Sequence, residues 1–156
     1  MEVDDDSARI SFPPPLIYLS MLALGLALDL VLPWQVALPM WARVVAGAAL
    51  IGTGVALSLA ATGRFRRAQN DVRPWKSTTS IVEGGIYAHT RNPMYLGMLC
   101  AFLGLAAALS SLGALLLTLP LVVIIRTQVI AREERYLAAK FGTEYTAYQA
   151  RVRRWI

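Results

Sequence analysis

The stretch MYLGMLCAFLGLAAALSSLGALLLTLPLVVII, Met94–Ile125, decides the fold. It is too long for one membrane span, because a bilayer core of about 30 Å takes roughly 17 to 25 apolar residues at about 1.5 Å per helical residue. Ser110, Ser111 and Gly113 interrupt its middle. The stretch therefore predicts two antiparallel helices, residues 94–109 and 112–130, joined by a tight turn.

Two further apolar runs precede this hairpin, at residues 16–32 and 42–61. The first contains one charge, Asp29, close enough to its end for the carboxylate to reach the lipid headgroups. Hydrophobic residues make up 56% of the 156 residues, and the mean hydropathy of +0.51 exceeds that of soluble globular proteins. We therefore predict an all-α polytopic membrane protein with four transmembrane helices. It forms a single domain, 1–156, that begins with a mobile tail at 1–15. In the second span, Gly47, Gly52 and Gly54 predict close packing between helices.

Basic residues determine the predicted orientation. Thirteen of the fifteen Lys and Arg lie in two segments, 64–91 and 126–154, whereas the turns at 33–40 and 110–111 contain none. Four spans place both segments on one side, and the positive-inside rule makes that side cytoplasmic, together with both termini. Although the net charge is +5, we predict no nucleic acid partner. The basic residues flank the predicted spans, where anionic lipid headgroups are a sufficient partner.

The sequence predicts no metal site and no disulfide framework. Cys100 is the single cysteine and lies within a span, and His89 is the single histidine. The acidic start lacks the basic region and the cleavage site of a signal peptide, so we expect the first apolar run to be a retained span.

A polar loop of about thirty residues, 62–92, leads into the third span, and loops beyond about 12 to 15 residues are usually functional or disordered. It ends in GGIYAHTRNPMYLG, residues 84–97. Asn92 followed by Pro93 is typical of a helix start, since Asn is a preferred N-cap and Pro fits the first helical position. We therefore expect the third span to begin here.

The same helix start is a candidate anion site. Its first N–H groups are unpaired and carry partial positive charge, which Arg91 would strengthen. Tyr87 and Tyr95 would add ring faces and hydroxyl groups. The alternatives are interfacial anchoring by the tyrosines and a lipid-phosphate contact by Arg91.

A second cluster of charges lies at the inner end of the fourth span. Arg126 and Glu133 are seven residues apart, about two helical turns, so they share a face, whereas Glu134 points about 100° away. Only one of the two acids then faces a given site. The alternative is an exposed surface on which the glutamates pair with Arg132, Arg135 or Lys140.

Beyond the fourth span, apolar and aromatic residues recur every three or four positions: Leu137, Phe141, Tyr145, Tyr148, Val152 and Trp155. This spacing predicts a C-terminal amphipathic interfacial helix whose aromatic stripe faces the membrane or the protein. Gly142 is the position at which we expect a bend.

The block GGIYAHTRNPMYLG, the hydrophobic hairpin and the block EERYLAAKFGTEYTAYQARV together resemble a known family. It is that of the integral-membrane methyltransferases of the isoprenylcysteine carboxyl methyltransferase type, which are related to the phospholipid N-methyltransferases. The resemblance covers roughly residues 64–152 and implies that 64–156 form a core that binds S-adenosylmethionine. By position, it implies that the cofactor-binding residues are Gln69, Thr79, Ser80, Ile81, Val82, Tyr87, Asn92, Pro93, Met94, Tyr95 and Glu133.

Two positions depart from the pattern of that family. Asn92 stands where the carboxyl methyltransferases usually have His, and Asn cannot become cationic or act as a general base. Val129 stands where they have an arginine that faces the substrate, and Arg126, one turn away, is the candidate replacement. The methyl acceptor, whether oxygen, nitrogen or sulfur, is therefore left open.

The chemistry of a sulfonium cofactor agrees with these residues. Its amino-acid end needs an anion site and a cation site, which the helix start with Arg91 and an acid such as Glu133 would supply. Methyl transfer depends on positioning and partial dehydration and needs no nucleophilic side chain. We predict Arg91 and Glu134 as the catalytic residues. We expect a small lipophilic acceptor or lipid to enter from the bilayer while the cofactor enters from the cytosol, with membrane lipids as further partners.

Two other functions fit parts of the sequence. Membrane sterol reductases share a related C-terminal architecture, and preference for NADPH would identify that class. A non-enzymatic membrane adaptor would use its basic tail to grip anionic lipid and would bind no small molecule.

Overall fold

The structure, a computed structural model, describes residues 6–8, 10, 12–32, 38–71, 73 and 75–156. Within these residues it is all-helical and contains no strand. The helices are α1 (Pro14–Val31), α2 (Met40–Arg67), α3 (Pro93–Ala108), α4 (Leu112–Ile124), α5 (Ala131–Phe141) and α6 (Thr143–Arg151), with a 3-10 helix at Gly85–Ala88 and a π-helical segment at Ile125–Ile130. The turn predicted at 33–40 includes residues 33–37, which lie outside the described part of the chain.

Within the described part of the chain, three helices are long and apolar enough to cross a membrane: α1, α2 and the continuous helix Leu112–Phe141, which joins α4, the π-helical segment and α5. The apolar part of that last helix ends at Ile130, before the charged run at 132–135. Helix α3 is apolar but has 16 residues, about 24 Å of helix against a bilayer core of about 30 Å. The all-helical membrane fold is therefore confirmed, and the fourth span and the side of the termini stay predictions.

The tight turn predicted between α3 and α4 is confirmed. The N–H groups of Ser110 and Ser111 donate to the carbonyls of Ala107 and Ala106 at 3.1 and 2.9 Å, which closes α3 in a Schellman turn. Ser110 adopts the left-handed φ of 57° that this turn requires. Ser111 then caps α4, because its Oγ accepts a hydrogen bond of 3.0 Å from the N–H of Ala114.

Helices α2 and α3 pack through small residues. Gly47 lies against Gly104, and Gly54 lies against Gly97. Residue numbers therefore increase by seven along α2 where they decrease by seven along α3, so the two helices are antiparallel. A Cβ at Gly47 would come within 2.8 Å of the Gly104 carbonyl oxygen. The predicted close packing is confirmed at these two glycines of α2, whereas Gly52 faces open space.

Helix α1 packs against the start of α4. Gly25 lies against Ala114, and the carboxylate of Asp29 accepts a hydrogen bond of 2.8 Å from the N–H of Gly113. That N–H belongs to the first turn of α4, where unpaired donors favour a negative charge. The carboxylate of Asp29 thus complements the N-terminus of α4, and its position relative to the lipid headgroups stays a prediction.

The π-helical segment changes which residues share a face. Its i→i+5 bonds accommodate about one extra residue, which rotates everything that follows by about 100° relative to an α-helix. Arg126 is exposed on this segment, whereas Glu133 and Glu134 both line one cavity. The predictions that Arg126 and Glu133 share a face, and that only one of the two acids faces a given site, are therefore wrong.

The N-terminal segment differs from the predicted mobile tail in its described part. Ile10 is 2% exposed and belongs to the hydrophobic core. Asp6 forms an ion pair of 2.5 Å with Lys140 of α5, and its carbonyl accepts a hydrogen bond from the Tyr136 hydroxyl at 3.2 Å. These residues therefore lie against the helices.

The C-terminal amphipathic helix consists of two helices, α5 and α6. They meet at Gly142, which has a φ of 54°, so the predicted bend is confirmed. Tyr145 and Tyr148 are buried and pack against Ile81 of the polar loop. The aromatic stripe was predicted to face either the membrane or the protein. Tyr145 and Tyr148 of α6 face the protein interior.

Candidate functional site

A cavity lined by apolar, polar and charged side chains lies where the loop before α3, the start of α3 and helices α5 and α6 meet. Its empty volume, which includes solvent space in the open mouth, is about 810 Å³. It is lined by Ala8, Phe65, Thr78, Ser80, Ile81, Val82, Tyr87, Arg91, Asn92, Pro93, Met94, Tyr95, Glu133, Glu134, Tyr136, Leu137, Tyr145 and Tyr148.

Arg91 brings a positive charge to this cavity. Its side chain is 11% exposed, and its Nη2 lies 3.2 Å from Oε1 of Glu134. Among the described residues, Nε and Nη1 of Arg91 are buried and have no hydrogen-bond partner. Because buried N–H groups without an acceptor are costly, these two atoms are suited to bind water or a ligand that presents oxygen acceptors.

Glu134 is held by a second arginine. Arg154 donates from Nε to Oε1 at 3.0 Å and from Nη2 to Oε2 at 2.5 Å, so its guanidinium contacts both carboxylate oxygens. The predicted alternative partners, Arg132, Arg135 and Lys140, bond to other groups. Glu134 therefore lies between two guanidinium groups and belongs to the wall of the cavity.

Glu133 brings a buried carboxyl group to the same cavity. The hydroxyl of Tyr95 donates to its Oε1 at 2.6 Å. Burial raises the pKa of Glu133 to about 7; the hydrogen bond from Tyr95 opposes this rise, and the charge of Glu134 adds to it. A cation in the cavity would favour the ionised form of Glu133.

Tyr87 lies on the 3-10 helix and is 4% exposed. Its ring packs against Phe65 of α2 with 5.4 Å between ring centroids, and its carbonyl accepts a hydrogen bond of 2.7 Å from the Tyr148 hydroxyl. Its own hydroxyl is buried and has no hydrogen-bond partner within the described part of the chain. Burial raises the pKa of Tyr87, followed by the charge of Glu133, so the group remains a protonated donor.

Asn70 shapes the loop that borders the cavity. It is 5% exposed, and its Oδ1 accepts hydrogen bonds from the N–H and hydroxyl of Thr79 at 2.8 and 2.6 Å. Its Nδ2 donates to the carbonyl of Ser80 at 2.7 Å. One side chain therefore fixes the backbone that presents Ser80, Ile81 and Val82 to the cavity.

Most of the predicted site residues come together at the cavity. These are Ser80, Ile81, Val82, Tyr87, Arg91, Asn92, Pro93, Met94, Tyr95, Glu133 and Glu134. Asn92 occupies the N-cap position of α3, but its side chain does not cap the helix and donates instead to the carbonyl of Arg154 at 2.9 Å.

Three predicted residues do not line the cavity: Gln69, Thr79 and Arg126. Gln69 has a φ of 56° and donates its N–H to the Arg66 carbonyl, so it closes α2 in a Schellman turn. Thr79 is exposed and binds Asn70, and Arg126 is exposed on the π-helical segment. In the structure, Gln69 therefore ends α2, and Thr79 and Arg126 lie on the surface.

Several lining residues were absent from the predicted site: Ala8, Phe65, Thr78, Tyr136, Leu137, Tyr145 and Tyr148. The sequence does identify Leu137, Tyr145 and Tyr148 as members of one helical face, because their spacing predicted a stripe that faces the membrane or the protein. Phe65 lies among arginines at the end of α2, and Asn70 lies in a polar loop. No pattern in the sequence distinguishes these two from ordinary surface residues.

These features define an integral-membrane protein with a charged small-molecule cavity at the end of its helices. The chain belongs to the phospholipid methyltransferase family, whose sequence model matches residues 42–144, from α2 into α6. This confirms the predicted resemblance and indicates a membrane methyltransferase. A protein of Haemophilus influenzae described as uncharacterized is 41% identical over 63 residues, which are 40% of this chain and 100% of that protein. No solved structure matches the chain.

Proposed function

We propose that this protein transfers a methyl group from S-adenosylmethionine to a small lipophilic acceptor at the cytoplasmic face of the membrane. The observation that carries the proposal is the presence of Arg91, with two unpaired nitrogens among the described residues, and the carboxyl group of Glu133 in one cavity. Together they are suited to the two ends of an α-amino acid, a carboxylate and an ammonium group.

The residues present fit this cofactor. Nε or Nη1 of Arg91 would donate to the carboxylate, since these two nitrogens lie on different edges of the guanidinium, and Glu133 would hold the ammonium group. The hydroxyl of Tyr87 is a further free donor, and Phe65 and Ile81 offer apolar surface to the nucleoside. When bound, S-adenosylmethionine supplies a methyl group on a cationic sulfur.

The protein's part in the reaction is positioning and exclusion of water. No side chain need form a covalent bond, because the acceptor itself is the nucleophile. For Glu134 we propose a structural role in place of the catalytic role predicted from the sequence, because Arg91 and Arg154 already engage its carboxylate. Arg91 retains its proposed role as the group that orients the cofactor.

The acceptor is proposed to come from the bilayer. Membership of the phospholipid methyltransferase family supports a lipid or another apolar molecule as substrate. The cavity adjoins the ends of apolar helices, and the basic segments at 64–91 and 126–154 support a cytoplasmic position for this end of the molecule. A cofactor from the cytosol and an acceptor from the membrane would then meet at this boundary.

Isothermal titration calorimetry of the detergent-solubilised protein tests the cofactor. We expect S-adenosylhomocysteine to bind, Glu133→Ala and Tyr87→Ala to weaken binding at least tenfold, on the order expected when charged or hydrogen-bonding groups are lost, and Glu144→Ala to bind like the wild type. Glu144 is an exposed acid on α6 and serves as the matched control. Absence of binding by folded wild-type protein would overturn the proposal.

Two further measurements separate the competing functions. Preference for NADPH over the sulfonium cofactor would identify a reductase, and absence of all small-molecule binding would identify an adaptor. A labelled-methyl transfer assay with lipid extracts and small thiols, followed by identification of the product, would reveal the acceptor atom.

A further inference from the structure

The segment that follows α6, residues 152–156, lies against the start of α3. The carbonyl of Arg153 accepts a hydrogen bond of 3.0 Å from the N–H of Arg91. The carbonyl of Arg154 accepts hydrogen bonds from the Thr90 hydroxyl at 3.3 Å and from the Asn92 side chain at 2.9 Å. Three consecutive residues at the entrance to α3 are therefore fixed by the backbone of this segment.

The side chain of Arg154 acts on the same region through Glu134. Its guanidinium contacts both oxygens of Glu134, whereas Arg91 contacts Glu134 through Nη2. The side chain of Arg154 is 30% exposed, and those of Glu134 and Arg91 are 12% and 11% exposed. The network is thus largely shielded from water, which strengthens its charge interactions.

We propose that Arg154 is a positioning residue that keeps Arg91 available to the carboxylate of the methyl donor. The inference rests on the proposed function. A carboxylate that faces a single arginine tends to form two parallel hydrogen bonds with it. Because Arg154 already engages both oxygens of Glu134, Arg91 keeps Nε and Nη1 for a ligand.

The consequence of removing Arg154 follows from this geometry. Without it, Glu134 turns toward Arg91 and forms a two-bond ion pair that uses Nη2 and one of the two donors left for the ligand. A lysine at position 154 does not restore the arrangement, because one ammonium group does not reproduce the planar fork of a guanidinium. Arg154→Lys therefore behaves like Arg154→Ala.

Two ligands distinguish this role from a general structural one. S-adenosylhomocysteine carries the amino and carboxylate groups, whereas 5′-methylthioadenosine keeps the nucleoside and lacks both. We expect Arg154→Ala to weaken S-adenosylhomocysteine about tenfold, equivalent to about 1.4 kcal/mol, and to leave 5′-methylthioadenosine unchanged. Arg153→Ala is the matched control, because the Arg153 side chain is exposed and its backbone makes the contact.

A double-mutant cycle tests whether Arg154 acts through Glu134. In a Glu134→Gln background, Arg154→Ala should change the affinity for S-adenosylhomocysteine less than twofold, because the competing carboxylate is gone. An equal loss for both ligands, an undiminished effect in the Gln background, or full rescue by Arg154→Lys would overturn the inference. Wild-type binding with an unaffected Arg154→Ala variant would overturn this inference alone. Absence of wild-type binding would overturn the proposed function and this inference with it.

Discussion

Binding of the cofactor should depend on pH through Glu133. The group lies in the cavity, where the Tyr95 hydroxyl donates to it and the Tyr87 hydroxyl and the Glu134 carboxylate interact with its charge, and its pKa is raised to about 7 by burial. A protonated Glu133 has no charge with which to attract an ammonium group. The affinity therefore falls as the pH falls through the pKa of Glu133, and it is retained above that pKa.

The size of the effect follows from the ionised fraction of this carboxyl. With a pKa of about 7, that fraction falls from about 0.76 at pH 7.5 to about 0.09 at pH 6, so the affinity should fall about eightfold. Calorimetry with S-adenosylhomocysteine at both pH values measures the change. In buffers of different ionisation enthalpy, the same titrations should also show protons released on binding near pH 7.

Two variants decide whether Glu133 is the titrating group. Glu133→Gln should bind weakly at both pH values and lose the eightfold difference, whereas Glu144→Gln should keep the wild-type profile. A wild-type affinity that does not change with pH, or an eightfold change that survives in Glu133→Gln, would refute the reasoning.

Three further predictions concern the fold and the cavity. Gly47→Leu should destabilise the protein by about 1–3 kcal/mol and lower its melting temperature in detergent. Gly52→Leu, where the added side chain meets open space, should melt like the wild type. Equal melting temperatures for both variants would contradict the packing described for α2 and α3. Tyr87→Phe should keep the melting temperature, because the lost hydroxyl has no partner among the described residues, and should weaken S-adenosylhomocysteine about fivefold in calorimetry. Unchanged affinity would remove Tyr87 from the site. Asn70→Ala removes the hydrogen bonds that fix Thr79 and Ser80 in the loop before α3. Amide hydrogen exchange of this loop should therefore become about tenfold faster, while α3 stays protected. Equal exchange rates in the variant and the wild type would contradict the role described for Asn70.

The sequence was sufficient for the helices and the turn between α3 and α4. A bilayer limits the length of a span, and Ser110 and Ser111 break the apolar run at its middle, so the helical hairpin has few alternatives. The cluster around Tyr87 and Asn92 was also predictable, because polar and aromatic residues gather where the loop enters α3. These predictions use local spacing, which the chain displays directly.

The parts that the sequence did not predict depend on contacts between distant residues. Arg154 meets Glu134 only because the segment after α6 returns to the start of α3. Asp29 meets Gly113 only after α1 has packed on α4. The π-helical segment contains no Gly or Pro that would mark an irregular helix, so its extra residue could not be recognised from residue type. In each case tertiary structure overrides the local pattern.

The extra residue of the π-helical segment makes the cavity sensitive to insertions and deletions. Loss of the codon for Thr127 or Gln128, inside this segment, would leave the net charge and both sequence blocks unchanged. It would nevertheless turn α5 by about 100°, carrying both glutamates away from Arg91. Among homologues, we therefore expect this six-residue segment to keep its length even where its side chains vary.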